Sequence, residues 1–174
     1  MTYYTSQDLA RGFRTVRKNT LLIAQEIPET HYGARPADGT RTVLDTLAHV
    51  ASQSVWQHAL HGRDRRTFVS IEDFGAYMQE AGAFAAALTS KAAVIEALER
   101  EGERFAAWLE TLSEADLGTM VGFPPPLDPP QKSRFEMLLG VKEHEMHHRG
   151  QLMIVQRQIG QVPHLTRARQ ARSA

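Results

Sequence analysis

Apolar positions along the chain recur at steps of three and four, which is the spacing of one face of an α-helix. From about Ser6 to Ile27, the residues Leu9, Phe13, Val16, Thr20, Ile23 and Ile27 line one such face. A second segment runs from about Val43 to Leu60, with Val43, Leu47, Val50, Ala51 and Ser54 on one side. A third runs from about Lys91 to Leu112 and aligns Val94, Leu98, Phe105, Leu109 and Leu112. A fourth runs from about Arg134 to Ile159. Between the second and third, Ile71, Phe74, Met78, Ala81, Ala85 and Leu88 predict a shorter extra helix.

Thr5-x-x-Asp8, Thr42-x-x-Asp45 and Ser133-x-x-Glu136 stand just before three of these runs. Each offers a hydroxyl to the unpaired amides of a first turn and an acid that reaches back. Ser113-x-x-Asp116 fits the same pattern, but no long apolar run follows it. Pro28, Gly33, Pro36 and Gly39 predict a loop over residues 28–40, and the polar, basic stretch 62–70 predicts another. Residues 117–131 hold Pro124, Pro125, Pro126, Pro129 and Pro130, which excludes helix there. Strand patterns are poor throughout. The fold class expected is all-α: an antiparallel four-helix bundle with one short extra helix and long loops, forming a single domain over residues 1–174.

Composition narrows the function. Formal net charge is zero, so neither nucleic acid nor an anionic membrane is an expected partner. No apolar run approaches the roughly 18 residues of a membrane span. Met1 is followed by Thr, Tyr and Tyr, not by a basic stretch and an apolar run, and the expected location is cytoplasmic. The chain has no cysteine, which rules out disulfides, thiolate metal sites and cysteine nucleophiles. Any thiol chemistry requires a thiol supplied from outside. Arg167, Arg169 and Arg172 read as a solvated, partly disordered tail.

The chemistry concentrates on the fourth helix. Met137, Val141, His144, His148, Gln151, Val155 and Ile159 follow one another at steps of three and four, so two histidines lie inside the predicted inward stripe. His144 and His148 stand one turn apart on one face, the spacing for two imidazoles to share one metal ion. His147 points away from that face. The run His144-Glu145-Met146-His147-His148 formally matches the zinc-protease pattern H-E-x-x-H. Gln151 stands where the longer form of that pattern has glycine, and no later helix supplies a third ligand. Glu145-x-x-His148 is also half of a di-iron carboxylate motif, but there is no second Glu-x-x-His. On the second helix, periodicity favours His58, which falls on the stripe with Leu44, Leu47 and Val55; His49 lies off it, sharing a face with Gln53 and Trp56. His61, before Gly62, reads as a helix-end residue beside the C-terminal dipole.

The run His144-Glu-Met-His-His-Arg-Gly-Gln-Leu152, then Gln158-Ile-Gly160 and Val162-Pro-His-Leu-Thr166, resembles the DinB superfamily of damage-inducible, YfiT-like metalloproteins. So do Thr46-Leu-Ala-His-Val50 behind its capped helix start, the order of the helices and the proline-rich approach to the fourth. The resemblance implies an up-down-down-up bundle, often a homodimer, with the metal held by His49, His144 and His148. It also implies a small-molecule substrate and, as in the better-known members, a transferase or isomerase using a small thiol. Three imidazoles suit one divalent ion, zinc or nickel, and leave a coordination position open. Three functions are expected in turn: an S-transferase for small electrophiles using an external low-molecular-weight thiol, a hydrolase with Glu145 as base, or a non-catalytic metal-binding, stress-related protein. An open site in a cleft separates the first two from the third.

Overall fold

The computed structural model describes residues 4–173. Four long helices build the bundle: α1 (Ser6–Glu26), α2 (Val43–His58), α4 (Lys91–Glu110) and α6 (Arg134–Gln158). The shorter α3 (Ile71–Ala86) is the predicted extra helix and packs on α2. Each of α1 and α2 packs against both α4 and α6, so α1 and α2 lie diagonally opposite across the bundle.

Local chemistry sets the helix starts. Thr5 with Asp8 and Thr42 with Asp45 form complete capping boxes, as their spacing predicts. Ser133 forms half of one: its hydroxyl accepts from the Glu136 amide, and Glu136 turns toward Lys132 instead, at 3.5 Å. Ser70 with Asp73 and Ser113 with Asp116 add two more boxes. The second of these starts a single turn, α5 (Glu114–Gly118), which extends into the stretch predicted as loop. Beyond it, β1 (Met120–Gly122) and β2 (Gln131–Ser133) pair antiparallel around the proline-rich loop. Three-residue strands are too short to leave an alternating pattern, so sequence periodicity misses them. The basic end of the chain is also ordered: α7 (His164–Ser173) replaces the expected disordered tail, and Arg167 is ion-paired with Glu26 of α1.

Three apolar clusters fill the interior. Ile23, Ile27, Leu47, Val94, Leu98 and Val155 hold one end, while Leu9, Phe13, Phe105, Leu109 and Leu138 hold the other. Trp56, Leu60, Val69, Tyr77 and Val121 join α2, α3 and the small sheet. Ala106 of α4 is fully buried in the core, while its neighbour Ala107 is exposed.

The inward stripe of α6 differs from the predicted one. Its buried residues are Arg134, Leu138, Val141, Glu145, His148, Leu152, Val155 and Gln156, so the stripe runs through Glu145 rather than His144. Periodicity skips Glu145 because an acid does not read as a core residue. Arg17 of α1 resolves the conflict. Its guanidinium donates to both Glu145 oxygens at 3.0–3.1 Å, and its Nη1 donates to the Leu98 carbonyl at 2.7 Å. Gly102 of α4 makes the passage possible, since a Cβ there would stand 2.7 Å from Arg17 Nη1.

Candidate metal centre

The rotation of α6 places His144 on the flank of the core rather than in it. Its ring turns toward α2, where His49 also stands off the packing stripe. His49 Nε2 and His144 Nε2 lie 2.8 Å apart, and His144 Nε2 and His148 Nε2 lie 3.1 Å apart. One ring nitrogen from each of the three falls within 4.8 Å of the others, the only such group of metal-binding side chains among the described residues. The rings meet edge to face, with centroids 4.5–4.9 Å apart. Three ring edges aimed at one point is an arrangement in which His49, His144 and His148 would hold one shared ion.

Electrostatics favours the form that binds metal. Desolvation pushes His49 and His144 down to about 4, with Arg41 and the neighbouring imidazoles adding to the effect. His148 is also lowered by burial, partly offset by its hydrogen bond to Gln151. All three therefore stay neutral at pH 7, with a lone pair available. Gln151 decides where that lone pair points on His148. Its Oε1 lies 2.8 Å from His148 Nδ1, so Nδ1 carries the hydrogen and Nε2 is left bare toward His144. Gln151 Nε2 lies 3.2 Å from Nε2 of the exposed His147, which is thereby tied to the support of the site and not to its centre. Gln151 appears in the sequence as a member of an apolar stripe, and its position three residues after His148 is the signal that could have singled it out.

The other histidines separate from this group. His58 is half-buried and stands edge-on to Trp108, ring centroids 5.0 Å apart, so the stripe that favours it leads to packing. His61 stands in the last turn of a helical segment, as its place before Gly62 predicts, but it is fully buried there: Ala59–Arg63 prolongs α2 as a wider turn in which the Asp64 amide donates to the Ala59 carbonyl. Glu145 is the main correction. Its carboxylate faces Arg17 on the core side of α6, 2% exposed, and cannot serve as a base at the triad. The H-E-x-x-H likeness is thus one of spelling. Opposite charges on the inward stripes of two helices, Arg17 between Phe13 and Thr20 and Glu145 between Val141 and His148, were the available sign of the pair.

A cavity of about 400 Å³ opens beside His144. Trp56, Leu60, Phe74, Phe123 and Met137 give it apolar walls, and Gln53, Gln57 and Lys132 supply polar groups. Gln53 accepts from the Trp56 indole at 3.0 Å, fixing that wall, while the buried Gln57 Oε1 has no partner. Gln53 and Trp56, which share a face of α2 with His49, line this cavity.

The donor set fits one divalent cation: three neutral nitrogens, one ring oriented by an amide, and a cavity bordering one of the ligands. A family model of the DinB superfamily matches residues 13–152. Among solved structures, YfiT from Bacillus subtilis, described as a probable metal-dependent hydrolase with an unusual four-helix bundle topology, is similar over 92% of this chain and 91% of its own, at 14% identity and a TM-score of 0.68. The mycothiol-dependent maleylpyruvate isomerase is similar over 87% of this chain at 17% identity and a TM-score of 0.63, and the match spans 63% of that enzyme. At such identities the likeness is one of fold. No curated protein matches the chain in sequence.

Proposed function

The chain belongs to the DinB superfamily, and on that premise we propose that His49, His144 and His148 hold one divalent ion, zinc or nickel, in an enzyme that transfers a small external thiol to an apolar electrophile. The observation that carries this reading is the convergence of three neutral imidazoles beside an apolar cavity. A structural site closes all positions with protein ligands, whereas three imidazoles leave room for a reactant. When bound, the ion supplies Lewis acidity, lowering the pKa of a water or thiol at its open position toward ~7.

The chain's own residues do the rest. Gln151 holds His148 in the tautomer that binds. Trp56, Phe74, Phe123 and Met137 bury the body of the electrophile and exclude water from it. Gln57 offers a carbonyl oxygen to a hydroxyl or amide of the substrate. The thiol sulfur forms a bond to the electrophilic carbon; the leaving group departs with its bonding pair, and the thiol proton passes to solvent. No cysteine of the chain competes for the electrophile.

Hydrolysis is the second reading, favoured by the description of YfiT. Since Glu145 is committed to Arg17, that reading lacks the base its sequence pattern suggests. We also propose that the protein is a homodimer, as the family resemblance implies; light scattering at micromolar concentration should give twice the chain mass.

Metal analysis of purified protein should find one ion per chain. Metal-loaded protein should then couple low-molecular-weight thiols to an aryl halide with release of halide, and lose that activity on chelation. Metal-dependent ester cleavage without any thiol would replace the transferase reading with the hydrolase. A metal-loaded protein inert in both assays would leave only a binding role.

A further inference from the structure

A second polar cavity, of about 170 Å³, lies on the other side of the Ala59–Arg63 turn. Its walls come from that turn, from the junction of α4 and α5, and from the first turn of α6, and it shares no lining residue with the cavity beside His144. His61 and Arg134 both line it and are 2% and 3% exposed. Neither ring nitrogen of His61 has a hydrogen-bond partner, and neither has Arg134 Nε. A buried polar group without a partner is costly, and a buried guanidinium more so. Three such atoms around one cavity therefore call for an occupant that satisfies them together.

The charges define that occupant. Arg134 contacts Asp116 only through Nη1, which donates to the Asp116 carbonyl at 3.2 Å and lies 3.9 Å from its carboxylate. The Nε edge of the guanidinium, the edge that grips two oxygens at once, is thus left open. Asp116 is already engaged: its carboxylate accepts from the Ser113 hydroxyl and amide at 2.6 and 3.0 Å and from Arg65 at 3.3 Å. Two arginines face one acid, so the cavity carries net positive charge. Burial and the nearby Arg134 charge push His61 down to about 3, so its ring is neutral, with one N–H to donate and one lone pair to accept.

We propose that His61, Arg134 and Arg65 form a binding site for a small phosphate-type oxyanion, separate from the histidine triad. Such an ion matches each unpaired atom: its oxygens accept from Arg134 and from the His61 N–H, and its P–OH donates to the His61 lone pair. The space suits it, since a water's share of liquid volume is about 30 Å³ and the ion has five heavy atoms. Arg65, exposed at the rim and paired with Asp116 at 3.3 Å, adds a second positive charge at the mouth of the cavity. Arg134 and His144 are both on α6, ten residues (144 − 134) and so about 15 Å apart along its axis, which makes the two sites distinct.

Titration calorimetry of inorganic phosphate into the chelated full-length chain tests this, with sulfate in parallel at constant ionic strength. The expected result is saturable 1:1 binding of phosphate, about tenfold or more tighter than sulfate, because sulfate at neutral pH has no proton for the His61 lone pair. Phosphate should move the Arg134 Nε–H and His61 ring resonances in NMR spectra. Arg134→Gln should weaken binding about tenfold or more. Arg65→Gln, at an exposed position that leaves the fold intact, should weaken it several-fold. The His144→Ala, His148→Ala double variant should bind phosphate as the parent does. Absence of saturable binding at tens of millimolar overturns the proposal. So does equal affinity for sulfate, or affinity unchanged in both arginine variants.

Discussion

Glu145 and His148 are one turn apart on α6, 2% and 5% exposed, yet they are buried in opposite ways. Glu145 meets a full counter-charge, and the Arg17 guanidinium occupies both its oxygens. His148 meets two other histidines, and burial strips the charge from all three. The first arrangement uses up the hydrogen-bonding capacity of its members and leaves nothing for a reactant. The second leaves lone pairs looking at a common point. A buried polar cluster is thus structural when its groups complete one another, and fit for a ligand when they all lack the same thing.

The comparison breaks most clearly on removing either side. The His144→Ala, His148→Ala double variant should lose stoichiometric metal entirely while staying folded, as read by metal content and circular dichroism. One ion per chain in that variant would place the metal elsewhere. Glu145→Ala should do the reverse, costing about 3–5 kcal/mol in urea denaturation because it strands the Arg17 charge. Arg17→Met with Glu145→Leu together should recover most of that loss, since an apolar pair of similar volume replaces both charges. If Glu145→Ala is instead neutral in stability and lowers activity, the acid belongs to the chemistry after all.

Smaller changes sharpen the contrast. Gln151→Ala should lower metal affinity about 10–100-fold with little effect on folding, because it frees the His148 ring to turn. His49→Ala and His58→Ala should separate in the same assays: the first should weaken metal binding, and the second should cost about 1–2 kcal/mol through its lost contact with Trp108. The mildest effect is on pH. His49 and His144 have folded values of about 4, below the unfolded ~6.5. The stability they contribute is therefore complete above about pH 6.5 and lost as pH falls toward 4. Metal-free protein should show a falling urea midpoint across that window, and His49→Ala should flatten it.

Helix positions were legible because each long run repeats its apolar residues over several turns and begins with its own cap. Thr5, Thr42 and Ser133 act within four residues, so no tertiary contact is needed to read them. The pairing of His144 with His148 was legible for the same reason, since one turn of helix guarantees a shared face. His49 was not readable from periodicity, which favoured His58; the motif around it pointed there. His61 was legible as a helix-end residue but not as a buried one, because a wider turn carries α2 on past His58 and places His61 in the interior.

The sequence by itself determined where the helices begin and run, which two histidines share a face of α6, and that no thiol of the chain takes part. These properties depend on residues within a turn or two of one another. Only the tertiary structure decided which face of α6 turns inward, because that choice rests on Arg17 meeting Glu145, 128 positions away in sequence, through a gap that Gly102 leaves open. That rotation carries His144 out to the flank, where it meets His49 across 95 positions of sequence. A charge on an apolar stripe cannot be assigned until its partner is in place, since an unpaired buried charge and a paired one differ by several kcal/mol.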